Sequence, residues 1–397
     1  MTDSVSVPRR RPLWPVFVAP GLLLIAAIAW TVFWFYAASQ VDRTVDVWRV
    51  REAKAGRIYD CAKRSVAGYP FRLEVTCEGA SVTLVGQTAQ GARMPPMTVQ
   101  FGSILVVSQI YTPKLLIAEF HAPARFAERG RPPSMQATWK TARSSVYGLP
   151  GPPEQVALVF DQAGLDRIGG ASPVPLARVN HAELHGRLAA ESTPAAPVIE
   201  AALQIDGGSI FELHPLLAQP FDADIRVKVR GLHDYAPKPW PDRFREIQAA
   251  GGRIEITQSR IRQGDLIAVG AGSLGLTPDG RLDGELRMTV TGLEKVIPAL
   301  GIEKMLEEGV PQATLDRVAP GLKARDVNGL LGALDRAIPG LGKVVRRNAG
   351  AGLTAAINAL GTPAELDGKP ARSFPLRFAR GTVLLGPVKV GEVPPLF

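Results

Sequence analysis

Residues 253–291, RIEITQSRIRQGDLIAVGAGSLGLTPDGRLDGELRMTVT, read as three strands, Arg253–Ile261, Leu266–Leu276 and Arg281–Thr291, joined by two tight turns. The first turn is Gln263-Gly264-Asp265 and the second Pro278-Asp279-Gly280. Glycine reaches positive φ without a steric penalty, so an Asp-Gly pair between alternating segments is a strong hairpin signal. Alternation of apolar and polar residues is the period of a strand with one covered face. The meander therefore sets the fold class as antiparallel β. Gly270 and Gly272 fall inside its middle strand, with no helix start beside them of the kind phosphate binding uses. They read as points where the strand bends.

The same texture extends upstream. Phe71–Cys77 alternates, and so does Ser81–Val85 beyond the turn at Gly79. Segments 97–108, 114–121, 134–146 and 154–160 are short, β-branched and bounded by glycine or proline, as strands of an antiparallel sheet are. Ala201-Leu203-Ile205 and Ile225-Val227-Val229 continue the pattern. Three prolines lie between Asp234 and Asp242, and Arg243–Ala250 reads as one short helix before Gly251-Gly252. Downstream, the period becomes helical from Gly292 to about Ala364. Pro320-Gly321 and Pro339-Gly340 divide that stretch into short helices. A last pair of strands surrounds Gly381.

The N-terminus has a different character. Arg9, Arg10 and Arg11 precede an uncharged run from Val16 to Ala38. About 20 apolar residues cross a hydrocarbon core of about 30 Å as a helix. The run is longer than a signal-peptide core and ends in Trp30, Phe33, Trp34, Phe35 and Tyr36, aromatic residues suited to a membrane–water interface. It reads as a retained single-pass anchor of the inner membrane. Arginines before the span place the N-terminus in the cytoplasm and the bulk in the periplasm. Val41, Val45 and Trp48 carry a helix onward to Gly56. The expected organisation is a cytoplasmic tail over 1–15, the span over 16–38 and a membrane-proximal helix over 39–59. A β-rich periplasmic domain over 60–291 follows, then a helical segment with a C-terminal hairpin over 292–397, packed on the same sheet. The fold class is α+β, mainly β: an elongated, curved antiparallel sheet behind a transmembrane helix.

The formal charge is +9. Removing Asp3 and the three arginines takes away two positive charges and leaves seven outside. These are scattered, with no long basic run, so no nucleic-acid partner is expected. Cys61 and Cys77 are the only cysteines, and both follow the span. In an oxidising compartment they read as a disulfide, and their spacing is unlike the C-x-x-C of redox catalysts.

Sites of chemistry are few. His181-Ala182-Glu183-Leu184-His185 has two imidazoles four residues apart, but the glutamate sits one position late for a metalloprotease helix. On a strand, His181, Glu183 and His185 share one face, so a solvated outer face is the expectation, with His181 and His185 the weak metal candidates. Gly68-Tyr69-Pro70-Phe71 reads either as a turn that seats Phe71 in the core or as an aromatic pair lining an apolar groove for acyl chains. No catalytic constellation and no cofactor motif is present in the sequence.

Gly68-Tyr69-Pro70-Phe71-Arg72-Leu73 shortly after a single span resembles the opening of a family of uncharacterised alphaproteobacterial single-span envelope proteins, a domain of unknown function. Gly381–Gly391 is similar to the same family's C-terminal hairpin. A looser architectural likeness is to AsmA-like envelope proteins, whose long curved sheets are associated with moving or organising lipids. The anchor, the strand texture, the absence of catalytic groups and the closeness of the sheet to the bilayer lead to the expectation of a non-enzymatic envelope protein that binds the bilayer and lipid or an envelope partner, without cofactors. Neither resemblance brings a catalytic residue to this chain. The alternatives are a structural or assembly factor with no lipid ligand, and a periplasmic hydrolase or metal-binding enzyme using the histidines.

Overall fold

The computed structural model describes residues 14–85, 95–149, 151–213, 216–234, 238–292, 361–385 and 388–397. Helix α1, Trp14–Lys54, is continuous through the expected span and beyond it. The membrane-proximal segment 39–59 is helical only to Lys54. Gly56, with φ 78°, turns the chain, and Arg57–Asp60 is already a strand. Helix α2, Trp240–Ala249, starts three residues earlier than its sequence pattern suggests, because Pro241 suits a first helical turn. The residues expected to be helical over 293–360 lie outside the described residues. The end of that expectation is corrected: Thr362–Leu366 is a strand.

The strands are β1 (Arg57–Asp60), β2 (Lys63–Ala67), β3 (Arg72–Glu78), β4 (Ser81–Leu84), β5 (Met97–Gln109), β6 (Thr112–Glu128), β7 (Met135–Thr138), β8 (Thr141–Tyr147), β9 (Gln155–Arg167) and β10 (Val174–Leu188). They continue as β11 (Ile199–Ile210), β12 (Phe221–Val229), β13 (Ile254–Gln263), β14 (Leu266–Leu276), β15 (Leu282–Thr291), β16 (Thr362–Leu366), β17 (Lys369–Ala379), β18 (Thr382–Leu385) and β19 (Val388–Glu392). All 19 strands among the described residues join one sheet. From β5 each strand or split pair lies beside its predecessor, running antiparallel to β15; β17 then pairs with β15, and β16 and β18 both pair with β17. At the other end β3 and β4 both pair with β5. The meander read from 253–291 is β13–β15.

The sheet has one apolar and one charged face. A single cross-section of the register runs Leu116, Val146, Val156, Gly186, Ala201, Val227, Ile256, Gly272, Leu286, Leu376, Leu385 without a charge. One residue away, on the opposite face, the row is Gln155, Arg187, Glu200, Lys228, Glu255, Ser273, Glu285, Arg377. Alternating signs across neighbouring strands hold the register, because directly opposed unlike charges stabilise a pair and like charges oppose it. Gly272 stands in the apolar row because a Cβ there would lie 2.2 Å from the Glu285 carbonyl oxygen. That is close backbone approach, a more specific reason than the bending expected of it; Gly270 has no such conflict.

Few side chains are fully enclosed. The buried apolar residues include Ala124, Ala142, Ala223, Ile267 and Phe374, and the large residues of the apolar face are mostly half-buried. Among the described residues no second sheet lies on that face, and the main strand partner of α2 is β14. The core is the inside of a curving single layer.

Candidate functional site

The curvature has a local cause. Several strands lose regularity at one level: Cys61-Ala62 separates β1 from β2, Gly79-Ala80 separates β3 from β4, and the β5–β6 register shifts between Phe101 and Ser103. Trp139-Lys140 separates β7 from β8, which is why the stretch expected as one strand over 134–146 is two. At the same level Gln162 of β9 has φ 48°, and the β11–β12 register shifts between Ile205 and Gly208. Each break meets the next: the Gly79 amide donates to the Gly102 carbonyl at 3.1 Å and the Lys140 amide to the Asp161 carbonyl at 3.0 Å. A crease therefore crosses the sheet from β1/β2 to β11. An extra residue at such a point bends a strand and raises its twist.

On β9, Leu158 and Phe160 below the crease and Ala163 and Leu165 above it line the same cavity, although strict alternation would place these pairs on opposite faces. On β10, Ala177 and Val179 share that cavity with Ala182; on β11, Ile205 shares it with Ile210. One additional residue per strand, at matched positions, keeps the apolar side chains inward while the sheet folds over them. The result is a trough of about 610 Å³. Its floor is an aromatic row, with Phe101 5.6 Å from Phe120, Trp139 6.5 Å from Phe101 and Phe160 5.9 Å from Trp139. The Trp139 indole N–H donates to the Phe120 carbonyl at 2.7 Å, so the ring offers only apolar surface. Among the described residues Arg178 is the single charged one in the lining, and it is occupied by the Ala177 carbonyl at 2.8 Å and the Asp166 carboxylate.

The opposite face carries a polar depression of about 760 Å³, lined by Glu183, His185, Arg187, Glu200, Arg226 and Lys228 among others. Several of these charges satisfy one another: Arg187 and Lys228 both reach Glu200, at 2.8 and 3.2 Å, and Lys228 also reaches Glu191 at 2.7 Å. The Lys228 hydrogen bond holds the Glu191 carboxyl down to about 2. Ion pairing of this kind at a solvated surface contributes little energy and leaves little charge to offer a ligand.

The histidines sit on strand β10, and His181, Glu183 and His185 share one face as read. They are more engaged than a solvated face implies. His181 Nδ1 is 2.6 Å from the Asp161 carboxylate and its Nε2 2.8 Å from Glu183, whose other oxygen is 2.6 Å from His185 Nε2. The Thr141 hydroxyl donates to Asp161. The hydrogen bond to Asp161, then that to Glu183, raises the His181 pKa, and those from His185 and His181 lower that of Glu183. Both rings spend a nitrogen on one carboxylate, which leaves Glu183 unable to serve a cation between them. Asp161 and Thr141 give no signal in sequence, since β9 brings Asp161 from twenty residues away.

Cys61 and Cys77 are joined, with their Cα atoms 5.7 Å apart. The Gly68–Phe71 turn neither seats Phe71 in a core nor lines the trough. Phe71 is 63% and Tyr69 52% exposed, and the turn docks on α1. The Trp30 indole N–H donates to the Pro70 carbonyl at 2.8 Å and that of Trp34 to the Arg72 carbonyl at 2.9 Å. Tyr69 stacks on Phe35 at 6.2 Å and meets Trp34 edge-on at 5.5 Å. The trough itself was missed. Its signal is the slip in alternation between Phe160 and Ala163.

Compared with curated proteins and with solved structures, the chain has no significant match, and the AsmA-like likeness remains one of strand texture. A family model described as an uncharacterized protein conserved in bacteria (DUF2125) matches residues 34–394, from within the apolar helix through the last strand. A match over nearly the whole creased sheet shows that the chain belongs to this family of uncharacterized bacterial proteins.

Proposed function

We propose that this is a non-enzymatic protein of the inner membrane that holds the acyl chains of lipids in the creased trough. The carrying observation is the trough: about 610 Å³, floored by Phe101, Phe120, Trp139 and Phe160, with the one charged lining residue among those described already paired. Ligand sites are usually apolar hollows of about 300–1,000 Å³ with few polar groups. Residues 17–54 form one helix long and apolar enough to span a membrane. The arginines before it support a cytoplasmic N-terminus. The Cys61–Cys77 disulfide supports a periplasmic sheet, since such bonds persist in oxidising compartments.

The test uses the full chain in phosphatidylethanolamine–phosphatidylglycerol vesicles doped with a phospholipid that carries a photoreactive acyl chain. Cross-linked peptides are expected from α1 and from β6 and β9 of the trough. Ala182→Asp, which puts a charge into the lining, should remove the trough products and leave those on α1. Cross-links confined to α1 in the unaltered chain would refute acyl binding.

A further inference from the structure

We propose that the folded domain itself enters the bilayer, through an insertion edge made by the Gly68–Phe71 turn between β2 and β3 and the Ile110-Tyr111 turn between β5 and β6. Its partner is the lipid surface, at the boundary between head groups and acyl chains.

The argument is one of length. From Trp14 to Trp30 the helix rises about 24 Å, at about 1.5 Å per residue. That falls short of the hydrocarbon thickness of about 30 Å. A spanning α1 therefore still lies at membrane depth where Trp30 and Thr31 bind the turn, and it reaches the far boundary, about 30 Å from Trp14, where Trp34 binds the Arg72 carbonyl just past the turn. Tilt of the helix would only deepen this level. The polar groups there are matched as such a depth requires: both indole N–H groups find backbone carbonyls, and the Thr31 hydroxyl lies 2.8 Å from both the Ala27 carbonyl and the Tyr69 hydroxyl.

The second turn adjoins the first, since the Ile110 amide donates to the Phe71 carbonyl at 3.1 Å. Tyr111 is 68% exposed. Tyr69, Phe71 and Tyr111 thus extend outward from the end of the sheet that meets Phe35 of the helix, and Phe33, Phe35 and Tyr36 are exposed as well. Aromatic residues concentrate at membrane–water interfaces because a flat apolar ring with a polar edge fits there. Lys114, which is exposed, stands just behind the aromatic tips, where a long basic side chain reaches phosphate groups, whereas Arg72 beside the first turn is held by Glu74 at 2.6 Å.

Depth measurements on the full chain test this. Single cysteines are introduced as Phe71→Cys, Tyr111→Cys, Leu23→Cys and Val174→Cys, labelled with an environment-sensitive fluorophore without reductant, and the protein is placed in phosphatidylcholine–phosphatidylglycerol vesicles. Val174 is exposed at the opposite end of the strands and serves as the aqueous reference. Quenching by lipids that carry a nitroxide on the acyl chain should be several-fold stronger at positions 71 and 111 than at 174. If Phe71→Cys does not fold, position 111 decides alone, since its side chain already faces outward. A shielded Leu23 with position 111 as aqueous as 174 overturns this inference but leaves the anchor standing; an aqueous Leu23 overturns both. Neither result bears on the acyl-chain trough, whose cross-linking pattern is read separately.

Discussion

At the scale of single residues, the chain Asp161–His181–Glu183–His185 ties β9 to β10 at the crease. Its pH dependence follows from the signs of the shifts. His181 is raised, so its stabilisation is complete below the ordinary imidazole value of about 6.5 and is lost as pH climbs through the raised value. Asp161, held low first by Thr141 and then by His181, and Glu183 are depressed. Their stabilisation is present above the usual carboxylate range and is lost as pH falls through the lowered values. The network is therefore strongest at mildly acidic pH. Thermal melts of the full chain between about pH 6 and pH 8 should show a decline on the alkaline side, and His181→Gln should flatten it. An unchanged slope in that variant would dismiss the role. The shared face of His181, Glu183 and His185 was legible as a period of two. Asp161 was not, because pairing between strands, rather than proximity in the chain, supplies it.

At the scale of elements, the crease depends on residues that accept an irregular backbone. Gly207 sits at φ 60°, its amide donates to the Asp222 carboxylate at 2.9 Å, and an added Cβ would lie 2.3 Å from the Asn180 side-chain amide. Gly207→Val should cost about 1–3 kcal/mol, from the left-handed backbone and the displaced Asn180. Chemical denaturation would measure the loss. Acyl cross-linking in the trough should fall as well if the bend shapes the site, whereas an unaffected midpoint would show that the strand tolerates the side chain. Strand existence was readable along the chain from alternation and turn residues. Strand ends were not: the expected 114–121 and 154–160 extend to Thr112–Glu128 and Gln155–Arg167 because each continues past the crease. Periodicity read in either strand stops where parity slips, although the hydrogen-bonded ladder resumes beyond.

For the whole molecule, the described residues form a one-layer sheet, so each strand there is held mainly by its two neighbours. Such quasi-one-dimensional structures unfold in parts, with stability summed from local contacts. Amide hydrogen exchange should show the strongest protection in β9, β10 and β11 and weaker protection in β18 and β19, the edge of the sheet among the described residues. Uniform protection with a single cooperative transition would contradict this picture. A sheet this wide also has to curl, because strand twist accumulates and open sheets rarely stay flat beyond about ten strands.

Taken alone, the amino-acid sequence determined the apolar helix, the antiparallel class, the alternation of faces and the cysteine pair. Each depends on spacing within a few residues or on composition. Only the tertiary structure decided that the breaks at Gly79, Gly102, Trp139-Lys140, Gln162 and Gly207 fall on one line. It likewise decided that Gly68–Phe71 rests on Trp30 and Trp34 and that Asp161 meets His181. Those facts depend on the register between strands far apart in the chain. Register is set by the summed fit of whole faces, which no local pattern contains.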